Sequence, residues 1–359
     1  MGLPFISNGA KKNRDQMVAI DLGGRTSKAV YLTRRGEGLV LSGYALVDAP
    51  LYEKSLSAEL LGEHVKAVVQ ALDAKTKSIA FGVGVNDAVV RHTELPRMPV
   101  EDMRLVLKNN PKGYMQQDLP NYVFDCFNMP IHPGAAASEA GAKSASAATK
   151  QRVLAAGAKQ QLVNDFLTAA RTAGVSAEMV FPGLIGPVNA FEVAMPEQFA
   201  KEAVALVDVG FRNTTISVLK DGELILSRVV ALAGDKLTSG LAESMGISYA
   251  EAEGIKVGMA AEVQSVLESI LAPLGRELRA SIDFFEHQHD RTVTQAYISG
   301  GSSKSEFIIN TLQNEMMVEC KTWNPAGTLQ LELPPTQMAE LEHVAPLLTV
   351  AIGTALAAL

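Results

Sequence analysis

The sequence contains little cysteine and no motif built on it. The two cysteines, Cys126 and Cys320, lie far apart in the 359-residue chain, and no C-x-x-C pair occurs. Their scarcity favours a reducing compartment and gives no metal-binding motif. The zinc-protease pattern H-E-x-x-H and the hydrolase pattern G-x-S-x-G are also missing, which argues against those two enzyme classes.

The sequence also lacks a hydrophobic run long enough to cross a membrane. Residues 1–16 have neither the apolar core nor the cleavage site of a signal peptide, and we interpret them as a loose arm. The uncharged stretch Val344–Leu359 falls short of the roughly 18 residues of a membrane span, so we expect a buried C-terminal helix rather than a tail anchor. These absences predict a cytoplasmic protein without a membrane span of its own.

The charge of the chain is small. A formal net charge of -7 at pH 7 favours solubility and argues against a nucleic-acid partner. Hydrophobic residues make up 47% of the chain and charged residues 20%, which is too apolar for a disordered protein. The length of 359 residues predicts two domains or one bilobal domain.

Two stretches of the sequence repeat one pattern. "MVAIDLGGRTSKAVYLTRRGEGLVLSGYALV" begins at Met17, and "AVALVDVGFRNTTISVLKDGELILSRVVAL" follows much later. Each indicates a strand, an Asp-x-Gly turn, a strand, a glycine hairpin and a third strand. Asp21 aligns with Asp208, and Gly23 aligns with Gly210. An internal repeat of this length predicts two similar lobes that face one cleft.

The two Asp-x-Gly turns have the chemistry of phosphate-binding loops. Because glycine has no Cβ, backbone N–H groups can approach an anion closely there. Asp21 and Asp208, at two strand ends, could hold a hydrated Mg²⁺, which prefers a few carboxylates together with water and phosphate oxygens. A third turn, Gly300-Gly301, precedes a helix whose N-terminus suits the polar edge of a nucleotide. One such turn is more often an ordinary β-turn, but the three together predict a nucleotide site.

Residues 92–181 match neither copy of the repeat and indicate an inserted β-loop-β-α subdomain. Within them, the small-residue tract Pro133–Lys150 is expected to be a mobile loop. The predicted domains are a first lobe (17–91), the inserted subdomain (92–181), a return to the first lobe (182–203), a second lobe (204–339) and a C-terminal helix packed on the first lobe (340–359).

These stretches resemble the PilM family of type IV pilus assembly proteins, relatives of FtsA within the actin-like ATPase superfamily. "VAIDLGGRTSKAVYL" and "ALVDVGFRNTTISVLKDGELILSR" are similar to the two phosphate motifs of the family, "AEAEGIKVG" to its nucleoside helix and "YISGGSSKSEF" to its adenosine motif. "FPGLIGPVNAFE" and "APLLTVAIGTALAAL" also resemble the family. The resemblance covers most of residues 17–359. It implies an α/β actin-like ATPase fold, with two similar lobes around a nucleotide cleft and an inserted 1C-type subdomain.

The resemblance also implies the residues that would bind ATP and magnesium. Contacts with phosphate and, through water, with magnesium fall to Asp21, Gly23, Gly24, Thr26, Ser27 and Lys28 on the first turn and to Asp208, Gly210, Thr214 and Thr215 on the second. Ribose contacts fall to Glu253 and Lys256, and adenosine contacts to Gly300, Gly301 and Ser302. A surface ion pair is the alternative for Glu253 and Lys256, which lie three residues apart. No residue of the sequence stands out as one that would orient an attacking water molecule. Slow or absent ATPase activity is therefore expected.

The function implied by the resemblance is that of an ATP-binding scaffold. PilM-like proteins lie on the cytoplasmic face of the inner membrane and hold the cytoplasmic tail of a PilN-like membrane protein in a groove between subdomains 1A and 1C. The chain is therefore expected to serve the assembly platform of a type IV pilus or a type II secretion-like system, at the membrane through its partner. Self-association is left open.

Four residues depart from the family pattern. Gly24 and Arg25 stand where small hydroxyl residues are common, and Phe211 and Arg212 bring bulk to the second turn. These departures predict weak or altered nucleotide binding. For Arg25 two roles stay open, a cap on the phosphate or a side chain that points into solvent.

Two other functions are weighed against the scaffold. ROK sugar kinases also begin with "DLGG", and "VNDA" at residues 85–88 is similar to their catalytic Asn-Asp. However, Asp87 falls in a strand-like run, earlier than that motif should come, and the cysteine-rich zinc motif of many such kinases is missing. An FtsA-like division protein is the other alternative, although a cationic amphipathic C-terminal helix that would anchor it is missing.

Overall fold

The computed structural model describes residues 14–50, 57–129 and 150–359. The predicted loose arm, up to residue 13, and the predicted mobile loop, up to residue 149, lie outside the described residues. The described strands are β1 (Gln16–Asp21), β2 (Thr26–Arg35), β3 (Gly38–Asp48), β4 (Ser78–Val83), β5 (Ala88–Pro96), β6 (Tyr122–Asn128), β7 (Lys150–Lys159), β8 (Ser176–Pro182), β9 (Ala203–Val209), β10 (Thr214–Lys220), β11 (Glu223–Val230), β12 (Gln295–Ser299), β13 (Cys320–Thr322) and β14 (Gln330–Leu331). The α-helices are α1 (Ala58–Leu72), α2 (Val100–Asn109), α3 (Pro111–Met115), α4 (Gln160–Thr172), α5 (Gly186–Ala194), α6 (Pro196–Lys201), α7 (Gly234–Met245), α8 (Tyr249–Gly258), α9 (Gln264–His289), α10 (Glu306–Met316), α11 (Pro335–Val344) and α12 (Thr349–Ala358).

The first lobe is built on a six-stranded sheet in the order β14-β3-β2-β1-β4-β8. β1, β2 and β3 form an antiparallel meander, whereas β1, β4 and β8 run parallel. The residues Met17 to Ile20 of β1 are fully buried because the sheet is covered on both faces. Parallel strands bring their carboxyl ends to one edge, so β1 and β4 both end at the same side of the lobe.

The second lobe repeats this construction with a five-stranded sheet in the order β11-β10-β9-β12-β13. The antiparallel meander β9-β10-β11 corresponds to β1-β2-β3, and β12 runs parallel to β9. The repeat extends to the strand register: Asp21 lies opposite Lys28, and Asp208 lies opposite Thr215. The two Asp-x-Gly turns predicted from the sequence therefore occupy equivalent places in two lobes.

A separate three-stranded sheet, β5-β7-β6, carries α2 and α3 and has its own small core around Leu95 and Leu107. This small-sheet subdomain is narrower than the predicted range 92–181. It begins with β5 at Ala88, and it ends with β7, because α4 packs on α1 and β8 pairs with β4 in the first lobe. The sequence could not reveal this, since helix α4 and strand β8 show no sign of their distant partners.

The second lobe was predicted to end at residue 339, but in the structure the chain returns to the first lobe before that residue. Trp323 packs against Phe191 of the first lobe, with ring centroids 5.3 Å apart, and β14 joins β3. The predicted C-terminal helix is present as α12, buried against β1 and α5. It crosses α5 closely enough that a Cβ on Gly353 would collide with the backbone of Gly186. The two helices therefore pack with their backbones in close contact.

None of the described helices is by itself long and apolar enough to cross a membrane. The bent pair Pro335–Leu347 and Thr349–Ala358, which meet at 90°, passes such a test by length and composition only.

Candidate functional site

The two lobes enclose a cavity of about 450 Å³ at the carboxyl ends of β1, β4 and β9. This volume lies within the range of small-molecule sites. The predicted site residues that line the cavity are Asp21, Gly23, Gly24, Thr26, Lys28, Asp208, Gly210, Thr215, Glu253, Lys256, Gly300, Gly301 and Ser302. Residues from both halves of the repeat and from the third turn therefore meet in one place.

The first loop follows β1 and folds tightly around its own strand. The backbone N–H of Gly23 donates to the carbonyl of Asp21 at 3.1 Å, and Lys28 Nζ lies 3.4 Å from Asp21 Oδ2. A Cβ on Gly23 would lie 2.5 Å from that Lys28 nitrogen. The same Cβ would lie 2.4 Å from the Thr26 carbonyl oxygen, so glycine keeps this loop compact, and the loop presents one carboxylate and one ammonium group to the cavity.

The second loop follows β9 and is held from both sides. The backbone N–H of Gly210 donates to the carbonyl of Asn213 at 3.1 Å, which closes the turn. At the start of α7, the N–H of Gly234 donates to Gly210 at 3.2 Å and that of Asp235 donates to Phe211 at 2.8 Å. These two hydrogen bonds attach the second loop to the first turn of α7.

Asp208 is the carboxylate on which the second loop is centred. The hydroxyl of Ser299 donates to Asp208 Oδ1 at 3.2 Å, and a Cβ on Gly300 would lie 2.5 Å from the same oxygen. Gly300 has φ +89°, a conformation that side chains rarely adopt. Burial raises the pKa of Asp208 to about 6; the positive charge of Lys28 opposes this rise and the negative charge of Asp21 adds to it. The site therefore carries a carboxylate that is costly to ionise without a further positive charge.

Two carboxylates in such a setting fit a hydrated magnesium ion. Within residues 14–50, 57–129 and 150–359, no group of three or more His, Cys, Asp or Glu side chains could hold a metal by itself. Mg²⁺ needs no such group, because it usually keeps several waters and binds through one or two carboxylates and phosphate oxygens. Asp21 and Asp208 are the residues that would hold it, and its charge would offset the burial of Asp208.

Two predicted residues, Ser27 and Thr214, do not reach the cavity. The Ser27 hydroxyl is buried 2.7 Å from His64 Nε2, and the Thr214 hydroxyl donates to the carbonyl of Leu232 at 2.7 Å. Each belongs to a strand in which side chains alternate between faces. In the first lobe Thr26 and Lys28 point into the cavity, so Ser27, which lies between them, points away. In the second lobe Thr215 points into the cavity, so Thr214, which precedes it, points away.

Glu253 and Lys256 are cleft residues and not a surface pair. They lie on α8 with side chains 20% and 11% exposed, and Lys256 Nζ lies 2.7 Å from Glu253 Oε2. Lys256 also donates to the Thr238 hydroxyl at 2.7 Å and to the Gly234 carbonyl at 3.3 Å. Thr238 in turn donates to Glu253 Oε2. This network fixes the carboxylate of Glu253 at the side of the cavity.

The structure also brings into the cleft residues that the sequence reasoning did not assign. Arg25 crosses the cleft from the first loop, and its Nη1 lies 2.7 Å from Glu253 Oε1. A Cβ on Gly24 would lie 3.2 Å from Phe211 Cδ1, so the two loops are in contact. The bulky side chain of Phe211 thus faces Gly24 on the opposite loop. Gly24 and Phe211 both depart from the family pattern, and only the two departures taken together indicate this contact.

Asp87 is another such residue. It lies in the turn between β4 and β5 and not in the strand expected from the sequence, and it lines the cavity together with Asn86. Thr349 and Val350, at the start of α12, line the cavity from the first lobe as well. The dipeptide Asn-Asp before a strand was the available signal, because such residues favour turns.

Comparison with known proteins shows the family of the chain. The sequence model of the type IV pilus assembly protein PilM family (PilM_2) matches residues 138–359. The chain belongs to this family. It is also similar to the cell division protein FtsA of Bacillus subtilis (strain 168), with 23% identity over an alignment of 266 positions that covers 68% of this chain and 58% of FtsA. The match thus spans less than two thirds of that relative.

Solved structures share the fold of this PilM-family protein. A PilM-PilN type IV pilus biogenesis complex has a chain that superposes with a TM-score of 0.81 at 20% identity, covering 97% of this chain and 99% of that one. The ethanolamine utilization protein EutJ from Carboxydothermus hydrogenoformans superposes with a TM-score of 0.52 at 15% identity, covering 97% of this chain and 91% of EutJ. MreB 5 of Spiroplasma citri, bound to AMPPNP, superposes with a TM-score of 0.50 at 10% identity, covering 96% of each chain. The expected actin-like ATPase fold and the expected family are confirmed.

Proposed function

We propose that this protein is an ATP-binding scaffold of a type IV pilus or related inner-membrane assembly platform. The observation that carries the nucleotide part is the pairing of two equivalent loops across one cavity, with Asp21 and Lys28 on one side and Asp208 on the other. Backbone N–H groups, an ammonium group and two carboxylates match the needs of phosphates and magnesium. The AMPPNP named for the MreB 5 structure supports a nucleotide in such a cleft.

In this function the residues of the chain bind and orient the nucleotide. The glycine loops would face the phosphates, Lys28 would neutralise phosphate charge, and Asp21 and Asp208 would hold the hydrated metal. Magnesium, when bound, would supply positive charge to the phosphates. Glu253 and Lys256 would contact the ribose from α8, and the turn Gly300-Gly301 would contact the base.

The partner part of the proposal rests on a second concavity. It lies between the small-sheet subdomain and the first lobe, and is lined by α2, β6 and the start of α4. Arg104 is fixed there by two hydrogen bonds to the buried Asp125, at 2.9 and 3.0 Å, and Lys108 adds a second positive charge. Leu105 is 57% exposed at its edge. The PilM-PilN complex supports a PilN-like partner, and the exposed Leu105 and the charge of Lys108 would suit a tail with apolar and acidic side chains.

Thermal unfolding with and without millimolar Mg-ATP tests the nucleotide part. A ligand that binds only the folded state raises the midpoint, so we expect an upward shift. An unchanged midpoint contradicts nucleotide binding. Sugar-dependent release of ADP, measured in the same samples, would instead favour the ROK-type kinase.

Binding of a labelled PilN-like cytoplasmic tail, followed by fluorescence anisotropy, tests the partner part. Leu105→Asp should weaken binding, since it places a negative charge beside an acidic tail. The matched control is Phe284→Asp, which changes a similarly exposed helix residue (54%) on the second lobe. Equal binding by both variants contradicts the groove, and no binding by the wild type contradicts the partner.

A further inference from the structure

The ion pair between Arg25 and Glu253 joins the two lobes across the mouth of the cleft. Arg25 belongs to the loop after β1, and its carbonyl accepts a hydrogen bond from the Ala49 N–H at 2.8 Å, which fixes the backbone to the end of β3. Glu253 belongs to α8 of the second lobe. The guanidinium and carboxylate are 2.7 Å apart. A contact between groups anchored in separate lobes holds only while the lobes are together.

The carboxylate of Glu253 is held by both lobes at once. Its Oε1 faces Arg25 of the first lobe, whereas its Oε2 is bonded within the second lobe to Lys256 and Thr238. A carboxylate oxygen has two lone pairs, so Oε1, which is bonded to Arg25, can accept one further hydrogen bond, whereas Lys256 and Thr238 already occupy both lone pairs of Oε2. Glu253 can therefore accept a ribose hydroxyl without losing these partners, and its orientation depends on Arg25.

The side chain of Arg25 is half exposed, and that of Glu253 is 20% exposed. An isolated surface pair in this setting contributes little to stability. A second contact strengthens the joint, because Gly24 lies against Phe211 and Arg212 of the opposite loop. The two contacts form one closure at the cleft mouth, which we call the loop clasp (Gly24, Arg25, Phe211, Arg212 and Glu253).

We propose that Arg25 is a positioning residue for the nucleotide. Through the loop clasp it closes the cleft and fixes the carboxylate that faces the ribose, so that a nucleotide is retained by Glu253 only while the two loops are together. This inference rests on the proposed nucleotide site. Arg25 then neither caps the phosphate nor points into solvent, but binds Glu253 of the opposite lobe.

The closure itself is tested without nucleotide. Spin labels at Asp48→Cys and Glu243→Cys, both exposed and in separate lobes, report the interlobe distance by double electron–electron resonance, with Cys320 replaced by serine and Cys126 buried. Arg25→Ala should lengthen or broaden the distance distribution. The matched control is Arg35→Ala, which removes an exposed arginine paired with Glu332 away from the cleft. Identical distributions for the wild type and Arg25→Ala overturn the proposal.

The positioning role is tested with ATP and its 2′-deoxy and 3′-deoxy analogues. Arg25→Ala should weaken ATP binding about tenfold, mainly through faster dissociation, and should weaken binding of the analogue that lacks the recognised hydroxyl much less. Arg25→Lys should restore part of the affinity. An equal loss for all three nucleotides overturns the positioning role, because the effect of Arg25 would then not depend on a ribose hydroxyl. If the wild type binds no ATP, the proposed function fails, and the nucleotide-free distances alone decide whether Arg25 closes the cleft.

Discussion

The two loops of the repeat occupy equivalent places in their lobes and carry different charges. In each lobe an aspartate ends or nearly ends the first strand, and the residue opposite it, seven positions later, faces the cavity. In the first lobe that residue is Lys28, 3.4 Å from Asp21. In the second lobe it is Thr215, which carries no charge, and Asp208 has a pKa raised to about 6.

This difference shows that the loops are complementary and not interchangeable. Lys28 acts on the carboxylates of both lobes, because its charge lowers the pKa of Asp208 across the cleft. The second lobe supplies a carboxylate whose pKa burial raises to about 6, so its ionisation costs more than that of an exposed aspartate. The lobe that carries Lys28 and the lobe that carries Asp208 therefore form one site only together.

The largest expected effect comes from removing that carboxylate. Asp208→Asn keeps the shape and removes the charge, and it should weaken Mg-ATP binding by about 10–100-fold, as loss of a metal-orienting group does. It should also raise the thermal midpoint of the nucleotide-free protein at pH 7.5, because a buried charge is lost. Asp118→Asn, at an exposed position, is the control. Unchanged Mg-ATP affinity in Asp208→Asn would show that the second loop does not bind the metal.

The raised pKa of Asp208 predicts a dependence on pH. Because its pKa in the folded protein lies near 6, above the ordinary value of 3.8, its ionisation makes the nucleotide-free protein less stable as pH rises through that interval. Metal binding needs the ionised form, so Mg-ATP affinity should fall as pH drops below about 6, by up to about tenfold per unit. Calorimetric titrations from pH 5 to 8 measure this fall. A wild-type profile as flat as that of Asp208→Asn would contradict the assignment.

The glycines of the two loops should differ in their tolerance of a methyl group. In Gly23→Ala the new Cβ would meet the Thr26 carbonyl and Lys28 Nζ, whereas in Gly210→Ala it would meet only Asn213 O at 2.9 Å. Overpacking of this kind costs about 1–3 kcal/mol, and we expect Gly23→Ala at the upper end and Gly210→Ala at the lower. Urea unfolding measures both.

The control for these substitutions is Gly254→Ala on α8. A Cβ there meets nothing within 4 Å, so the free energy of unfolding should rise by about 0.5–1 kcal/mol. If Gly210→Ala proved more costly than Gly23→Ala, the tighter packing of the first loop would be refuted.

The sequence sufficed for the parts of the fold that depend on local pattern. Strand periodicity and paired Asp-x-Gly turns predicted both meanders, and the turn at Gly300 marked the third element of the cleft. Residues whose role depends on distant partners were beyond it. The strand β8 joins β4 across the inserted subdomain, and nothing in its own residues distinguishes that pairing from membership of the small sheet.

Arg25 illustrates the same limit within the site. Its neighbours in sequence are loop residues, and its partner Glu253 lies on another lobe. A long side chain with several rotatable bonds reaches partners that no sequence spacing specifies. By contrast, Lys28 and Thr215 follow from the register of a single hairpin, which the position of the aspartate already sets.

The smallest expected effect tests that register directly. Ser27→Ala and Thr214→Val alter side chains that point away from the cavity in both lobes, so ATP affinity should stay within about twofold of the wild type. Ser27→Ala should still lower stability by about 1–2 kcal/mol, because His64 loses its buried hydrogen-bond partner. Thr26→Val and Thr215→Val, which change the neighbouring cavity residues, should lower affinity measurably in the same titrations. A loss of affinity in Ser27→Ala or Thr214→Val that matched theirs would mean that the strands shift register when nucleotide binds, and the equivalence of the two loops would then belong to the nucleotide-free protein alone.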